Sequence, residues 1–306
     1  MAINRSKLAA HLYPGINKFI GMGYKLRVNE EQFKAIYGMA KTSMKATEEN
    51  VMMAGFAAAE RMNEGGAKPL DEGLGERWRS RVTMILYGKR FEITKMAVDD
   101  NQYEKPTMTY SKWLGWSMAE RKTLEAFAVL NNATSTSYLG GDGKALCVTD
   151  HPTQDGGTNS NLLAVAADFN EASLEEMVLQ VADWVTERGT KISANIKRVI
   201  LGRDFMFVAE RLAKSVGRVG TNDNDINIHK GLPFVSEGFT VVDYTTDPDA
   251  WFGITDIPDG LVHYQRQAIE TKTDVDFLTD NIRVAATARD GFGWDNPLGI
   301  IMSAGA

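Results

Sequence analysis

Apolar positions along this chain repeat with two periods, and each period marks out its own elements. Phe33, Ile36, Tyr37 and Ala40 stand at i, i+3, i+4 and i+7 and predict a helix over 29–45. Residues 106–132 predict one helix of up to about 27 residues, on the order of 40 Å long at the α-helical rise, with Pro106 suited to its first turn. On a helical projection Trp113, Trp116, Leu124, Phe127 and Leu130 share one arc and are assigned to the core, with Arg121, Lys122 and Glu125 opposite. Glu120 falls inside the apolar arc, where a basic partner is expected. Leu174, Met177, Val178, Val181, Trp184 and Val185 keep helical spacing. Ser173 and Glu176 fit a capping box with Asn170 as a competing N-cap, and Gly189 suits the stop. A buried strand at 198–202, a helix at 203–214, a Gly/Asn/Asp loop at 217–231 and strands near 239–244, 251–255, 261–270 and 282–290 follow. This order is α+β and not a strict βαβ series.

Two stretches lack such periodicity. Pro14, Gly15, Gly21 and Gly23 punctuate residues 1–27, which read as an irregular extended arm. Residues 63–76, NEGGAKPLDEGLGE, read as an exposed loop tip, with Lys68, Asp71, Glu72 and Glu76 among its charges. Beyond it Arg77, Arg79 and Arg81 alternate with Trp78, Ser80 and Val82, which puts the arginines on one face of a strand. The strand continues as VTMILY and resumes after Gly88 with Lys89 and Arg90. Two readings fit: an edge decorated with charge against aggregation, or a two-stranded arm offering a basic face and an acidic tip to neighbouring subunits.

Charge and composition narrow the function. A net charge of −6 and a pI near 5.4 argue against gripping nucleic acid, which takes clustered Lys and Arg. The single cysteine, Cys147, excludes an intramolecular disulfide and any Cys-rich metal site. No signal peptide or membrane-length apolar run is evident, so a soluble protein made in a cytoplasm is expected.

The motifs that resemble catalytic ones are incomplete. Gly140–Lys144, GGDGK, lacks phosphate-loop spacing, and Ala145–Cys147 after it read as a strand. Asp150 and His151, with Cys147 or Ser160 as nucleophile, are half of a triad without a nucleophile elbow. Asp99, Asp100 and Glu104, and the acidic run 221–225, lack calcium-loop spacing. No catalytic residue, cofactor or metal is expected from these patterns.

Seven collinear segments carry a family resemblance: FEITKMAVDDNQY (91–103), LEAFAVLNNA (124–133), GGDGKALCVTDHPTQDGGTNSN (140–161), SLEEMVLQVADWVTERGTKI (173–192), TNDNDIN (221–227), DYTTDPDAWFGITD (243–256) and DGFGWDNPLGIIMSAGA (290–306). Together they resemble the major capsid proteins of tailed bacteriophages with the Hong Kong 97 fold. The resemblance implies an N-terminal arm (1–47), an extended loop or E-loop (48–98), a peripheral domain (99–139 and 261–306) with a spine helix at 106–132, and an axial domain (140–260). It further implies a virion shell of pentamers and hexamers enclosing double-stranded DNA, assembled in a bacterial cytoplasm with a portal and decoration proteins as possible partners. The short stretch before the E-loop leads us to expect a separate scaffolding protein. Lys68, Asp71, Glu72, Glu76, Arg77, Arg79, Arg81, Lys89 and Arg90 are the expected subunit-contact residues. Some relatives crosslink through an E-loop lysine; Lys89 and Lys95 lie in that region, with no motif to single them out. The alternatives are an encapsulin-type nanocompartment shell, a Cys/His hydrolase using Cys147, His151 and Asp150, and, least consistent with the charge, a DNA-binding module.

Overall fold

The computed structural model describes residues 9–27, 30–71, 73–99, 104–217, 226–231 and 233–305. In chain order the elements are helices α1 (Ala9–Arg27) and α2 (Glu30–Tyr37), then strands β1 (Lys41–Thr42), β2 (Thr47–Met53), β3 (Glu76–Thr83) and β4 (Ile85–Ile93). Helices α3 (Lys95–Asp99) and α4 (Glu104–Asn131), strands β5 (His151–Pro152) and β6 (Thr158–Asn159), helix α5 (Glu171–Ala182), strand β7 (Ile196–Gly202) and helix α6 (Met206–Lys214) follow. Strands β8 (Phe239–Val242), β9 (Trp251–Thr255), β10 (Leu261–Val275), β11 (Ile282–Trp294) and β12 (Ile300–Ser303) complete the chain.

One sheet, ordered β12-β9-β7-β8, is buried on both faces. Neighbours along each strand therefore enter different cores. Val199, Leu201, Trp251 and Ile301 join Leu174, Met177 and Val181 of α5 and Ala209 and Leu212 of α6. Ile200, Phe252, Ile300 and Met302 join Phe33 and Ile36 of α2 and Phe127 and Leu130 of α4. Covering both faces is why these strands read as unbroken apolar runs. Helix α5 begins at Asn170, whose side chain accepts the Ser173 N–H while Ser173 Oγ accepts the Asn170 N–H. Asn170, not Ser173, is thus the cap. The helix ends at Ala182; Gly189 takes its positive φ in a later turn.

The second sheet, ordered β1-β10-β11-β4, carries α4 on one face, and α1 lies along α4. Residues 9–27 are therefore helical, contrary to the irregular arm expected of them. A methyl group at Gly23 would overlap the Lys112 carbonyl, and one at Gly115 that of Ile20. Glycines that read as breaks are what let the two helix axes approach closely, sealing Ile16 and Ile20 against Leu114 and Met118.

That close approach also overturns part of the projected core of α4. Phe127 and Leu130 are buried, but Trp113, Trp116 and Leu124 face outward, with Trp113 53% exposed. The helix covers its Ser111, Leu114, Gly115, Met118 and Ala119 side, where small residues admit α1. Lys122, expected on the solvent face, is buried, while Arg121 and Glu125 pair along the surface. Glu120 accepts a hydrogen bond from Tyr244 Oη at 3.0 Å. Helix α2 stops at Tyr37, because Gly38 turns left-handed and donates to the Lys34 carbonyl, so Ala40 lies outside it. The expected strand at 145–147 is absent; Cys147 is instead held by a hydrogen bond to the Ala133 carbonyl.

Candidate assembly hairpin and its anchorage

Strands β2 and β3 form an antiparallel hairpin, in register from Thr47 opposite Thr83 to Val51 opposite Arg79, with a bulge before Met53 meets Glu76. The predicted alternation holds: Ser80 and Val82 are buried, Arg79 and Arg81 exposed. The inward residues bolt the hairpin to the second sheet. Ser80 Oγ donates to Asp295 Oδ1 at 2.5 Å, and Asn50 Nδ2 donates to Asp295 Oδ2 at 2.6 Å and to Tyr264 Oη at 2.7 Å. Burial pushes the Asp295 carboxyl above its ordinary range, against those hydrogen bonds. Val82 packs with Met84, Val262 and Tyr264 over Gly291 and Gly293 of β11.

The outward residues divide into two groups. Arg79 meets Glu76 at 3.6 Å and Arg81 meets Glu49 at 2.5 Å, all four well exposed, where such pairs contribute little. Arg77 instead turns to the body and donates through Nε to Glu187 Oε2 at 2.9 Å. Asp71 accepts the N–H groups of Ala57 and Gly73 and pairs with Arg188 at 2.9 Å, which together hold its carboxyl below the ordinary range. Gln154 also donates to the Gly73 carbonyl. The loop 54–75 thus rests on the 154–188 region of its own chain, an attachment that links residues far apart in sequence. Lys68 and Glu76 are exposed, and Glu72 lies outside the described residues.

Lys89 and Arg90 belong to β4, which pairs with β11 in the second sheet. The expected continuation of the hairpin strand breaks at Met84 and not at Gly88, so the hairpin proper spans 47–83. Lys89 Nζ reaches Ser117 Oγ at 3.4 Å, Arg90 lies 3.9 Å from Glu92, and Lys95 pairs with Asp280 at 2.7 Å.

The Gly140–Lys144 turn closes through a hydrogen bond from the Gly140 N–H to the Lys144 carbonyl, with Gly143 at positive φ. Asp150 pairs with Lys144 at 2.5 Å, while the buried His151 ring meets Asp142 at 2.6 Å through Nδ1 and Asn161 Oδ1 at 3.1 Å through Nε2. Cys147 is fully buried, and burial pushes its thiol far up, away from the reactive thiolate. Asn161 is the hub of this segment. Its Nδ2 lies within hydrogen-bond distance of the carbonyls of Leu146 (2.7 Å), Pro297 (2.8 Å) and Ile300 (3.2 Å), and its Oδ1 accepts the Val148 N–H at 2.9 Å. Side chains of Asp99, Asp100 and Glu104, and the run 221–225, lie outside the described residues.

Two features were not visible in the sequence. Asp290 is a buried carboxylate where helix and sheet meet: Tyr87 Oη donates to Oδ2 at 2.6 Å, and His263 Nε2 and Lys122 Nζ lie 2.9 and 3.4 Å from Oδ1. Burial alone would push its carboxyl up, but the His263 hydrogen bond, the Lys122 charge and the Tyr87 hydroxyl outweigh it and leave it below the ordinary range. The second is the tip of the β10–β11 hairpin. Asp276 accepts from Thr279 Oγ1 at 2.9 Å and Arg283 Nη2 at 2.6 Å, and this stiffened turn carries Phe277, 95% exposed, and Leu278, 87% exposed. The two side chains make a small exposed apolar tip at the end of the hairpin. Their only sequence signal was two large apolar residues inside a polar turn, DFLTDN.

Comparison with known proteins decides the family. The sequence matches the phage capsid protein family over residues 80–303. This chain belongs to the phage capsid protein family. A comparison with curated protein sequences gives no match. Among solved structures, one of Mycobacterium phage Patience superposes with a TM-score of 0.54 at 13% identity, covering 98% of this chain and 88% of that one. The capsid of cyanophage P-SCSP1u gives 0.53 at 8% identity over 86% and 84%. A virus-like particle from Pyrococcus furiosus gives 0.52 at 10% identity over 95% and 98%. The architecture of this capsid-family chain is the α+β Hong Kong 97-type fold.

Proposed function

We propose that this chain is the major capsid protein of a tailed phage, a non-enzymatic subunit that assembles with copies of itself into the icosahedral head around double-stranded DNA. The family match over residues 80–303 carries this reading. In this frame residues 1–47 are the arm, 48–98 the E-loop region, 99–139 with 261–306 the peripheral domain, and 140–260 the axial domain. Pentamers and hexamers form the shell in the bacterial cytoplasm, with a separate scaffolding protein and a portal, and the protein ends in the virion. The buried Cys147 and the His151 ring engaged by Asp142 support a structural role over a hydrolytic one.

A shell subunit works through interface free energy. An interface of ordinary size buries about 1,600 Å² in total, and closed symmetry lets each subunit hold several neighbours through individually modest contacts. The arginine face of the hairpin and the Phe277–Leu278 tip supply complementary means: charge for register, apolar area for affinity. The net charge of −6 suits a wall that leaves packaged DNA mobile. Size-exclusion chromatography and negative-stain microscopy of the purified chain test the reading. Capsomers or hollow icosahedral particles are expected, and a strict monomer even with scaffold added would refute it.

Arg79→Glu is expected to block shells while changing subunit stability by less than about 0.5 kcal/mol, since Arg79 is an exposed residue. Intact particles from that variant would remove Arg79 from the assembly surface. Phe277→Ser with Leu278→Ser is expected to leave the melting temperature unchanged or slightly raised and to lower particle yield at least about tenfold, the equivalent of 1.4 kcal/mol. Unchanged yield would assign that tip to solvent.

A second reading has its own observation. The Pyrococcus particle superposes over 98% of its chain, and an encapsulin-type shell around protein cargo would share this fold. Nuclease-protected DNA in particles made in the native host favours the phage head; a co-purifying enzyme favours the compartment.

A further inference from the structure

The start of α5 and the turn after α6 bring together three side chains that the proposed assembly surfaces do not use. Glu171 and Glu175 stand at i and i+4 on α5, hence on one face, and His229 comes from the facing 226–231 turn. Their ligand atoms all lie within 4.8 Å of one another. His229 is 1% exposed, and neither ring nitrogen has a hydrogen-bond partner among the described residues. Its Nε2 faces Glu175 Oε1 across 3.5 Å. A buried imidazole that has lost water at both nitrogens is costly unless a charge or a cation sits beside it.

The histidine is also held in place. Asn227, itself buried, lies within hydrogen-bond distance of the Leu212 and Ser215 carbonyls through Nδ2 (2.7 and 3.1 Å) and accepts the His229 backbone N–H at 3.0 Å. Phe234 packs its ring edge-on against the imidazole. The arrangement is thus a fixed nitrogen donor opposite two carboxylates on a rigid helix, one of which, Glu175, is half-exposed and reachable from solvent.

We propose that Glu171, Glu175 and His229 form a binding site for a first-row divalent metal ion of the zinc class. Tetrahedral zinc with bonds of about 2.0–2.1 Å places its ligand atoms roughly 3.4 Å apart, close to the present His229–Glu175 separation. One imidazole and two carboxylates suit zinc and its neighbours. Calcium and magnesium demand six or more oxygen donors, which this site lacks. Water completes the fourth position on the exposed side. The bound ion would clamp the first turn of α5 to the segment that follows α6, and would relieve the repulsion between two carboxylates one helical turn apart.

The test uses the full chain as purified, stripped with a chelator, dialysed and titrated with zinc chloride in a calorimeter, with melting curves alongside. One equivalent per chain and a rise of at least about 3 °C at saturating zinc are expected, with no rise from magnesium at the same concentration. Glu175→Gln and Glu171→Gln, at positions that are not buried, are each expected to weaken binding at least about tenfold while keeping the far-ultraviolet circular dichroism of the parent. His229→Asn is expected to abolish it. Cobalt(II) added in place of zinc should give the visible bands of a tetrahedral centre in the parent and not in Glu175→Gln. No stoichiometric uptake by the parent, or undiminished uptake by both glutamine variants, would overturn the proposal.

Discussion

Replacing Asp290 with alanine is expected to destabilise the unassembled subunit by about 3–5 kcal/mol, the cost of leaving a buried charge without its counter-ion. Lys122 is buried beside it, and Tyr87 and His263 both point their polar atoms at the lost carboxylate. The change would loosen α4 from β4, β10 and β11 together, because each contributes one partner. Urea denaturation of the subunit at neutral pH checks this. The penalty should be smaller in the double variant Asp290→Asn with Lys122→Met, which removes the stranded charge. A loss below about 1 kcal/mol in Asp290→Ala would mean that the network adds nothing beyond an exposed pair.

The same carboxylate carries a pH dependence whose sign follows from its shift. Its folded pKa lies below the ordinary value of 3.8, so its contribution is fully present above that value and is lost as pH falls through the folded pKa. The stability gap between the natural protein and Asp290→Ala is therefore expected to be widest near neutral pH and to close only below about pH 4. A gap that closes near pH 6 would assign the linkage to another group.

Asn161→Ala should cost about 3 kcal/mol or more. The side chain is fully buried and serves the carbonyls of Leu146, Pro297 and Ile300 and the N–H of Val148. Each buried backbone group left unpaired costs about 1–3 kcal/mol. Water filling the vacated volume would recover part of that sum. Asn161→Asp is the sharper probe: it keeps the shape and the acceptor but sets an anion against three carbonyl oxygens. It should be at least as damaging as alanine at neutral pH. An aspartate variant as stable as the parent would show that donation from Nδ2 is unimportant. Both variants lose the Nδ2 bonds that tie Leu146 to Ile300, and the alanine variant also releases His151 Nε2, so hydrogen exchange should rise first in 140–161 and in β12, the two segments that Asn161 joins.

Much of the fold was legible from the chain, and the reason lies in particular residues. Strand β7, RVILG, and strand β9 read cleanly because a sheet covered on both faces leaves continuous apolar runs. The alternation of Arg77, Arg79 and Arg81 with Trp78, Ser80 and Val82 located one strand of the hairpin, since period two is a property of the strand alone. What the arginines touch was not legible. Arg77 closes onto Glu187, and Asp71 onto Arg188, across sequence separations that no local pattern encodes. The exposed tip at Phe277 and Leu278 was not legible either, because two apolar residues in a turn carry no period.

By itself, the sequence determined the α+β class, the approximate place of most elements and the family, through segments ordered along the chain from 91 to 306. Tertiary structure alone decided which side of α4 is inside. A helical projection shows that Trp113, Trp116 and Leu124 share a face with Phe127 and Leu130, but burial goes to whatever a partner covers. Here Gly23 and Gly115 let α1 approach so closely that the smaller residues are sealed and the tryptophans are left outside. Periodicity is a local property of the backbone; coverage depends on how near a second element can come, and that distance is set by side chains far away in the chain.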